Sequence, residues 1–120
     1  MASKVVSDNF ETSSGAVPEL GGADRQTQWC KAWCRFHQTG VQSISGSYNV
    51  SSITDIGTGA TRINFTTAMP NDDYVALSED YWYGAGIVDS TTASSFRTVR
   101  WNLSAGYADV TEVHVAVFSN

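Results

Sequence analysis

Histidine is the side chain that most often serves as a general base, and this chain has two, His37 and His114. A hydrolytic site of the serine or cysteine kind needs a histidine within hydrogen-bond reach of the nucleophile and a third group that orients it. His37 stands at a predicted strand end beside Gln38, and His114 stands on the polar face of another predicted strand. Each is interpreted as a solvated or hydrogen-bonded side chain, and no serine has the G-x-S-x-G context of a nucleophile elbow.

Paired carboxylates occur at Asp72-Asp73 and at Glu79-Asp80. Glycoside hydrolysis uses two acids that face each other across a sugar, but neighbours along a strand point to opposite faces of the sheet. Neither pair can form such a facing couple, so both are interpreted as turn caps and surface charge. With Asn71, the first pair also makes too short a run of oxygen ligands for a calcium loop.

The two cysteines, Cys30 and Cys34, are four residues apart. On an extended strand this spacing separates their Cα atoms by about 13 Å, which is beyond the limit of about 7 Å for a disulfide. On a helix it would suit a metal, but only His37 lies nearby, and the fuller zinc patterns need two such pairs. We expect buried free thiols, no metal and no cofactor. Without a catalytic constellation, we expect that the protein is not an enzyme.

Aromatic side chains form the remaining candidate site. Tyr81, Trp82 and Tyr83 are consecutive, and Trp101 and Tyr107 occur elsewhere in the chain. Exposed rings beside hydroxyl and amide groups commonly bind sugars or the surface of another protein. Large rings in a domain this small also serve as core or subunit contacts, and both interpretations stay open. The candidate ligand or receptor contact is Tyr81, Trp82 and Tyr83, and its candidate ligand is a glycan.

These residues need a scaffold, and from residue 29 onwards the pattern predicts short strands separated by turn residues. The predicted strands cover residues 29–36, 48–54, 60–66, 74–79, 96–102 and 111–118. The clearest hairpin joins the second and third of these through 55–59, whose glycines supply the positive φ of a tight reversal. Helical spacing also fits parts of 29–36, so a short helix is the alternative there. The pattern predicts an all-β fold, a small antiparallel β-sandwich or barrel.

Residues 1–28 differ from the β domain predicted over 29–120. They are polar and rich in serine and glycine, and neither a strand nor a helix period persists in them. A segment with so few apolar groups becomes ordered only by lying on something else. We interpret it as an extended N-terminal attachment arm; a terminus without a role is the alternative. Its candidate assembly contacts are Phe10, Val17, Pro18 and Leu20.

Size and charge restrict the class of protein. The chain has 120 residues, enough for one domain, and a net charge of -5 at pH 7. This charge repels the phosphates of nucleic acid, so we expect no nucleic-acid partner. We find no run of about 18 apolar residues and no apolar stretch of a secretion signal near Met1. We therefore expect no membrane insertion, and synthesis in a cytoplasm followed by export only as part of a particle.

Part of the chain is similar to a known domain. The segments that carry the similarity are Lys31 to Phe36, Thr39-Gly40, Ser47 to Asp55, Ile63 to Pro70 with Tyr74, and the closing Val115 to Phe118. They resemble a domain recurrent in virion proteins of tailed bacteriophages, notably tail-fibre proteins of marine and cyanobacterial phages. A preceding arm rich in serine and glycine is also typical of those proteins. The long shaft of many fibres is missing here, and Ser78 to Arg97 does not match.

The resemblance implies a structural virion protein without catalytic residues, assembled as a homotrimer or fibre bundle. We expect a tail-fibre or tail-tip component that acts through assembly and, where 78–97 forms a variable exposed loop, through host attachment. The expected partners are copies of itself and, through the arm, other virion proteins. A capsid decoration (cement) protein is one alternative. A carbohydrate-binding receptor module, in which Tyr81, Trp82 and Tyr83 bind a host surface glycan, is the other.

Overall fold

A computed structural model describes residues 19–20, 23–24, 29–82, 84–104 and 106–119. These residues form thirteen strands and no helix, so the all-β prediction is confirmed. The strands are β1 (Glu19–Leu20), β2 (Ala23–Asp24), β3 (Cys30–His37), β4 (Ser43–Tyr48), β5 (Val50–Gly57), β6 (Ala60–Phe65), β7 (Val75–Asp80), β8 (Gly84–Ala85), β9 (Ile87–Asp89), β10 (Ser95–Val99), β11 (Trp101–Asn102), β12 (Gly106–Tyr107) and β13 (Val113–Phe118). The described part of the chain has no helix that could cross a membrane.

The larger sheet has five strands in the order β4-β3-β13-β7-β8, and all its neighbours are antiparallel. In β3 the alternate residues Ala32, Cys34 and Phe36 are buried, as the sequence pattern predicts. The helical alternative for 29–36 is therefore wrong. The last strand, β13, lies between β3 and β7, and its residue Phe118 is the register partner of Cys30 at the start of β3.

The smaller sheet has four strands in the order β5-β6-β10-β9, again all antiparallel. The predicted hairpin is present as β5 and β6, joined by a turn at Thr58 and Gly59. Thr61, Ile63 and Phe65 share the buried face of β6, as expected for a half-buried strand.

The two sheets pack face to face as a sandwich, because a single apolar core takes side chains from both. In one part of it, the rings of Phe65, Tyr74 and Phe96 contact one another, with centroids 5.6 to 6.3 Å apart. The Tyr74 hydroxyl oxygen lies 2.9 Å from the carbonyl oxygens of both Thr92 and Ser95. It donates a hydrogen bond that these two acceptors share, so the hydroxyl group is not left unpaired in the core.

The chain changes sheets at Gly86. Strand β8 pairs with β7 in the larger sheet, whereas β9 pairs with β10 in the smaller one. Between them the Gly86 amide donates to the Ser78 carbonyl at 2.8 Å. The interpretation of 78–97 as an exposed loop is wrong at its two ends, where Ser78, Ser95 and Phe96 are buried in β7 and β10. The described residues between these ends are exposed or partly exposed, and they include the short strands β8 and β9.

Near the N-terminus, β1 and β2 pair with each other, with Glu19 opposite Asp24 and Leu20 opposite Ala23. Most of the predicted arm over 1–28 lies outside the described residues. This includes Phe10, Val17 and Pro18 among its candidate contacts, whereas Leu20 belongs to β1.

Candidate functional site

A buried ion pair joins the two sheets at one end of the sandwich. Arg100, which follows β10, is 0% exposed, and so is the side chain of Asp80 at the end of β7. Nη1 of Arg100 donates to Oδ2 of Asp80 at 3.2 Å, and Nη2 donates to Oγ1 of Thr98 at 3.0 Å and to Oγ of Ser78. The interpretation of Asp80 as surface charge is wrong, because this residue continues the inward face of β7 after Ala76 and Ser78.

Two further observations describe the surroundings of this pair. Burial lowers the pKa of Arg100, and the Asp80 carboxylate acts in the opposite direction. A Cβ at position 86 would overlap the Arg100 guanidinium, so Gly86 leaves the space that the guanidinium occupies. The change of sheets and the ion pair therefore depend on the same residue.

The predicted aromatic contact starts directly after Asp80. Tyr81 and Trp82 are 75% and 63% exposed, and their rings meet edge to face with centroids 5.1 Å apart. The Trp82 amide donates to Oδ1 of Asp80 at 2.8 Å, so the predicted turn-capping role of Asp80 is present. Tyr83 lies outside the described residues. Both described rings are surface groups and are not part of the core.

A second aromatic pair starts directly after Arg100. Trp101 in β11 is the register partner of Tyr107 in β12, and their rings meet edge to face with centroids 4.9 Å apart. They are 48% and 58% exposed. The ion pair of Arg100 with Asp80 thus connects the starting points of both aromatic segments.

The β11–β12 hairpin is fastened to the turn between β5 and β6. The Gly59 amide donates to Oδ1 of Asp109 at 2.7 Å, and the Arg100 amide donates to the Gly59 carbonyl at 2.8 Å. Gly59 has a φ of 70°, and a Cβ there would lie 2.8 Å from the carbonyl oxygen of Ala108. Only glycine combines this backbone conformation with so close a contact.

A shallow cavity of about 330 Å³ lies beside the second aromatic pair, on the outer face of the smaller sheet. Its lining residues are Ile87, Asp89, Arg97, Val99, Trp101 and Tyr107. Arg97 donates from Nε to Oδ1 of Asp89 at 2.6 Å and from Nη2 to Oδ2 at 2.5 Å. These hydrogen bonds lower the pKa of Asp89 below its ordinary value. Sequence reasoning did not single out Asp89 or Arg97.

The outer face of the larger sheet is apolar over four strands. Across the register, Trp33 lies opposite Tyr48 on one side and Ala116 on the other. Ala116 lies opposite Leu77. Trp33, Tyr48 and Leu77 are 44%, 56% and 58% exposed. We define the apolar face as these four residues with the adjacent register pair, namely Trp33, Tyr48, Val75, Leu77, Ala116 and Phe118.

A row of charged side chains borders the apolar face. Oε1 of Glu112 lies 2.6 Å from Nε of Arg35 and 2.6 Å from Nε2 of His114, whose Nδ1 lies 3.5 Å from Oε1 of Glu79. The hydrogen bonds from His114 and then Arg35 lower the pKa of Glu112. His114 is thus engaged with carboxylates, which agrees with its interpretation as a hydrogen-bonded side chain.

His37 is held by two groups near the β3–β4 turn. Its Nε2 lies 2.6 Å from Oγ of Ser43, and its Nδ1 lies 3.1 Å from the carbonyl oxygen of Thr39. A serine, a histidine and an orienting group are therefore within hydrogen-bond distance, an arrangement that the sequence interpretation did not foresee. All of these hydrogen bonds are exposed to solvent. Since a catalytic pair works in a site that excludes water, we interpret them as bonds that stabilise the turn.

Both cysteines are free. Cys34 is buried, and burial raises the pKa of its thiol to about 12. Cys30 is only partly buried, and its Sγ donates to the Ala32 carbonyl at 3.1 Å. Within the described ranges, no group of three histidine, cysteine, aspartate or glutamate side chains is placed to hold a metal ion.

Comparison of the chain with protein-family models, with curated proteins and with solved structures finds no match. The function is therefore argued from the surfaces described above, and the similarity to tail-fibre proteins stays a prediction from the sequence.

Proposed function

We propose that this protein is a structural component of a phage virion, of the tail-fibre or tail-tip type, that assembles with copies of itself through the apolar face. The observation that carries the proposal is the exposure of Trp33, Tyr48, Val75 and Leu77, which are 44% to 58% accessible on one continuous sheet surface. Contiguous apolar surface of this kind marks protein contacts, and aromatic residues are enriched in them.

A second copy of the chain is the proposed occupant of this face, because the face is apolar and the charges beside it are paired. The net charge of -5 disfavours phosphate-rich partners such as nucleic acid or an anionic membrane. The charged row beside the apolar face is paired internally through Arg35, Glu112 and His114. Pairing within this row limits the like-charge repulsion between two copies that meet here. Closed rotational symmetry is the usual form of such homo-oligomers, and the sequence similarity points to a trimer.

The assignment to a virion rests on the similarity of Lys31 to Tyr74 and of the closing strand to tail-fibre domains. A capsid decoration protein would use the same apolar face, since a sandwich that packs with its copies suits either position. Labelling the protein on the particle and imaging it distinguishes the two, because the label is expected on the tail and a label on the head would favour decoration.

Analytical ultracentrifugation over a range of concentrations tests the self-assembly. We expect the full chain to be oligomeric, and Leu77→Asp to raise the dissociation constant at least about a hundredfold, since it buries an unpaired charge in the contact. Leu103→Asp is the matched control, because Leu103 is 97% exposed on the β11–β12 hairpin and away from the apolar face. Circular dichroism checks that both variants are folded. A monomeric wild-type chain, or equal effects of the two substitutions, would overturn the proposal.

A further inference from the structure

We infer that the cavity on the outer face of the smaller sheet is a binding site for an uncharged pyranose sugar, with Trp101 and Tyr107 as the stacking surface and Asp89 with Arg97 as the hydrogen-bonding group. This inference goes beyond the proposed assembly and does not depend on it. The cavity lies on the opposite sheet from the apolar face.

The strand period brings these groups to one surface. Along the chain, Phe96, Thr98 and Arg100 point into the sandwich and are buried. The intervening residues Arg97, Val99 and Trp101 therefore share the outer face, and all three line the cavity. At about 3.3 Å per residue, the Cα atoms of Arg97 and Trp101 are about 13 Å apart. The polar and aromatic groups thus stand at the two ends of one elongated surface.

The middle of this surface is aliphatic. Ile87 is the register partner of Val99, and Asp89 is the register partner of Arg97. Ile87 is 52% exposed and lies between the ion pair and the rings. The cavity therefore has a charged end, an apolar floor and an aromatic end, which is the mixture of many apolar and few placed polar groups that small-molecule sites use.

The aromatic end provides flat apolar contact. Trp101 and Tyr107 are inclined by 79° to each other, so neither ring stacks flat on the other. Both remain about half exposed. A pyranose presents a flat face of C–H groups, which gains contact area on such a ring with little loss of side-chain entropy. A Cβ at Gly106 would lie 3.7 Å from the Trp101 ring, which is an ordinary van der Waals distance. The Gly106 backbone is therefore close to the indole ring but does not clash with it.

The polar end matches vicinal hydroxyl groups. An arginine carries five N–H donors, and the bidentate pairing with Asp89 uses two of those of Arg97. The remaining donors of Arg97 stand beside the lone pairs of the Asp89 carboxylate that neither Arg97 nor Ser90 uses. Each sugar hydroxyl both donates and accepts, so adjacent hydroxyls pair with a carboxylate and a guanidinium at once.

Charge favours an uncharged ligand. Asp89 and Arg97 neutralise each other, and their side chains are 38% and 35% exposed. Arg62, the register partner of Arg97, adds a positive charge nearby, but it donates to Oγ of Ser95 at 3.3 Å and does not line the cavity. An anionic ligand would approach Arg97 but would also meet the Asp89 carboxylate, whose lowered pKa keeps it ionised at neutral pH. A protein partner fits less well, because aspartate is depleted from the cores of protein interfaces and the concave cavity has the volume of a small-molecule site.

Saturation-transfer NMR with the full chain tests the inference. The probes are the methyl glycosides of glucose, galactose and mannose, with methyl glucuronide as the charged comparison. We expect transfer to at least one neutral glycoside with a dissociation constant of about 1 mM, the range for a ligand of this size, and weaker transfer to the glucuronide. Trp101→Ala should weaken binding about tenfold or more. Arg97→Lys should do the same, because it keeps the charge and loses the planar fork.

Trp29→Ala is the matched control, since Trp29 is 52% exposed, close to the 48% of Trp101, and does not line the cavity, and its binding should stay within about twofold of the wild type. No binding of any neutral glycoside, or wild-type binding by Trp101→Ala, would overturn the inference. Ultracentrifugation of the same samples separates the two proposals. If Trp101→Ala dissociates an oligomer, the rings belong to a subunit contact and the sugar site is wrong. A monomer that binds sugar through Trp101 leaves the sugar site intact and refutes the assembly.

Discussion

Arg100 donates to Asp80 across the sandwich at 3.2 Å, and both side chains are completely buried. This ion pair connects β7 of the larger sheet to the residue that follows β10 of the smaller sheet. Trp82 is two residues after Asp80 and Trp101 is one residue after Arg100, so both aromatic segments start from the same fixed point. The pair therefore sets the positions of groups that lie on the surface.

Asp80→Asn should strongly destabilise the fold, because it leaves the Arg100 guanidinium buried without a counter-charge. We expect the free energy of unfolding to fall by about 3–5 kcal/mol, measured by urea denaturation. The control is Asp89→Asn, which breaks a pair whose side chains are over one-third exposed, and should cost less than about 1 kcal/mol. Similar losses for the two variants would show that the buried pair has no special role.

Gly86→Ala should displace the Arg100 guanidinium, because the new methyl group would occupy its place. The guanidinium cannot move away freely, since Asp80 and Thr98 hold it. We expect a loss of about 1–3 kcal/mol or more in the free energy of unfolding.

Gly46→Ala is the control for that substitution, because a Cβ there would lie 3.5 Å from the Trp33 ring, an ordinary contact. Its effect should stay within about 0.5 kcal/mol. A Gly86→Ala variant as stable as Gly46→Ala would contradict the role of Gly86.

Glu112 should contribute stability that depends on pH. Its pKa is lowered in the folded state by His114 and Arg35, so the folded protein favours the ionised form. This stabilisation is present above the pKa of a glutamate in the unfolded chain and is lost as pH falls through the lowered value. We expect the stability difference between wild type and Glu112→Gln to shrink below about pH 4 in thermal melts. A difference that is constant between about pH 7 and pH 3 would contradict this linkage.

The sequence predicted the elements that repeat with a simple period. Buried and exposed residues alternate in β3, β6 and β13 as their patterns indicate, and the β5–β6 turn contains the expected glycine. Strand β4 was not predicted because Ile44 and Tyr48 are the only large apolar residues of its Ser43–Tyr48 segment, and three serines and Gly46 make the segment resemble a loop. Strands β8 and β9 were missed because they are two and three residues long, too short for a period to show.

The candidate sites were less predictable because they depend on register. One row on the outer face contains Trp33, Ala116 and Leu77. These residues belong to strands that are far apart in sequence, and no local sequence pattern determines the order of those strands in the sheet. Asp89 and Arg97 gave a local signal, since they flank a short reversal, but opposite charges eight residues apart are too common to single out. The sequence prediction ended strand β7 at Glu79, one residue before Asp80. If the strand is extended by one residue, the alternation of Asp80 with Ala76 and Ser78 predicts that Asp80 is buried.

The pairing of Phe118 with Cys30 has a consequence for how the domain connects to anything else. The first strand of the β domain enters, and the last one leaves, at the same end of the same sheet. Such a domain can be grafted into a surface loop of another protein without a long linker around its body. It also resists force poorly when pulled by both ends at once, because antiparallel neighbours loaded from one end separate one hydrogen bond at a time. In the proposed assembly, a load applied to one end and transmitted through the apolar face to neighbouring copies would avoid that weakness.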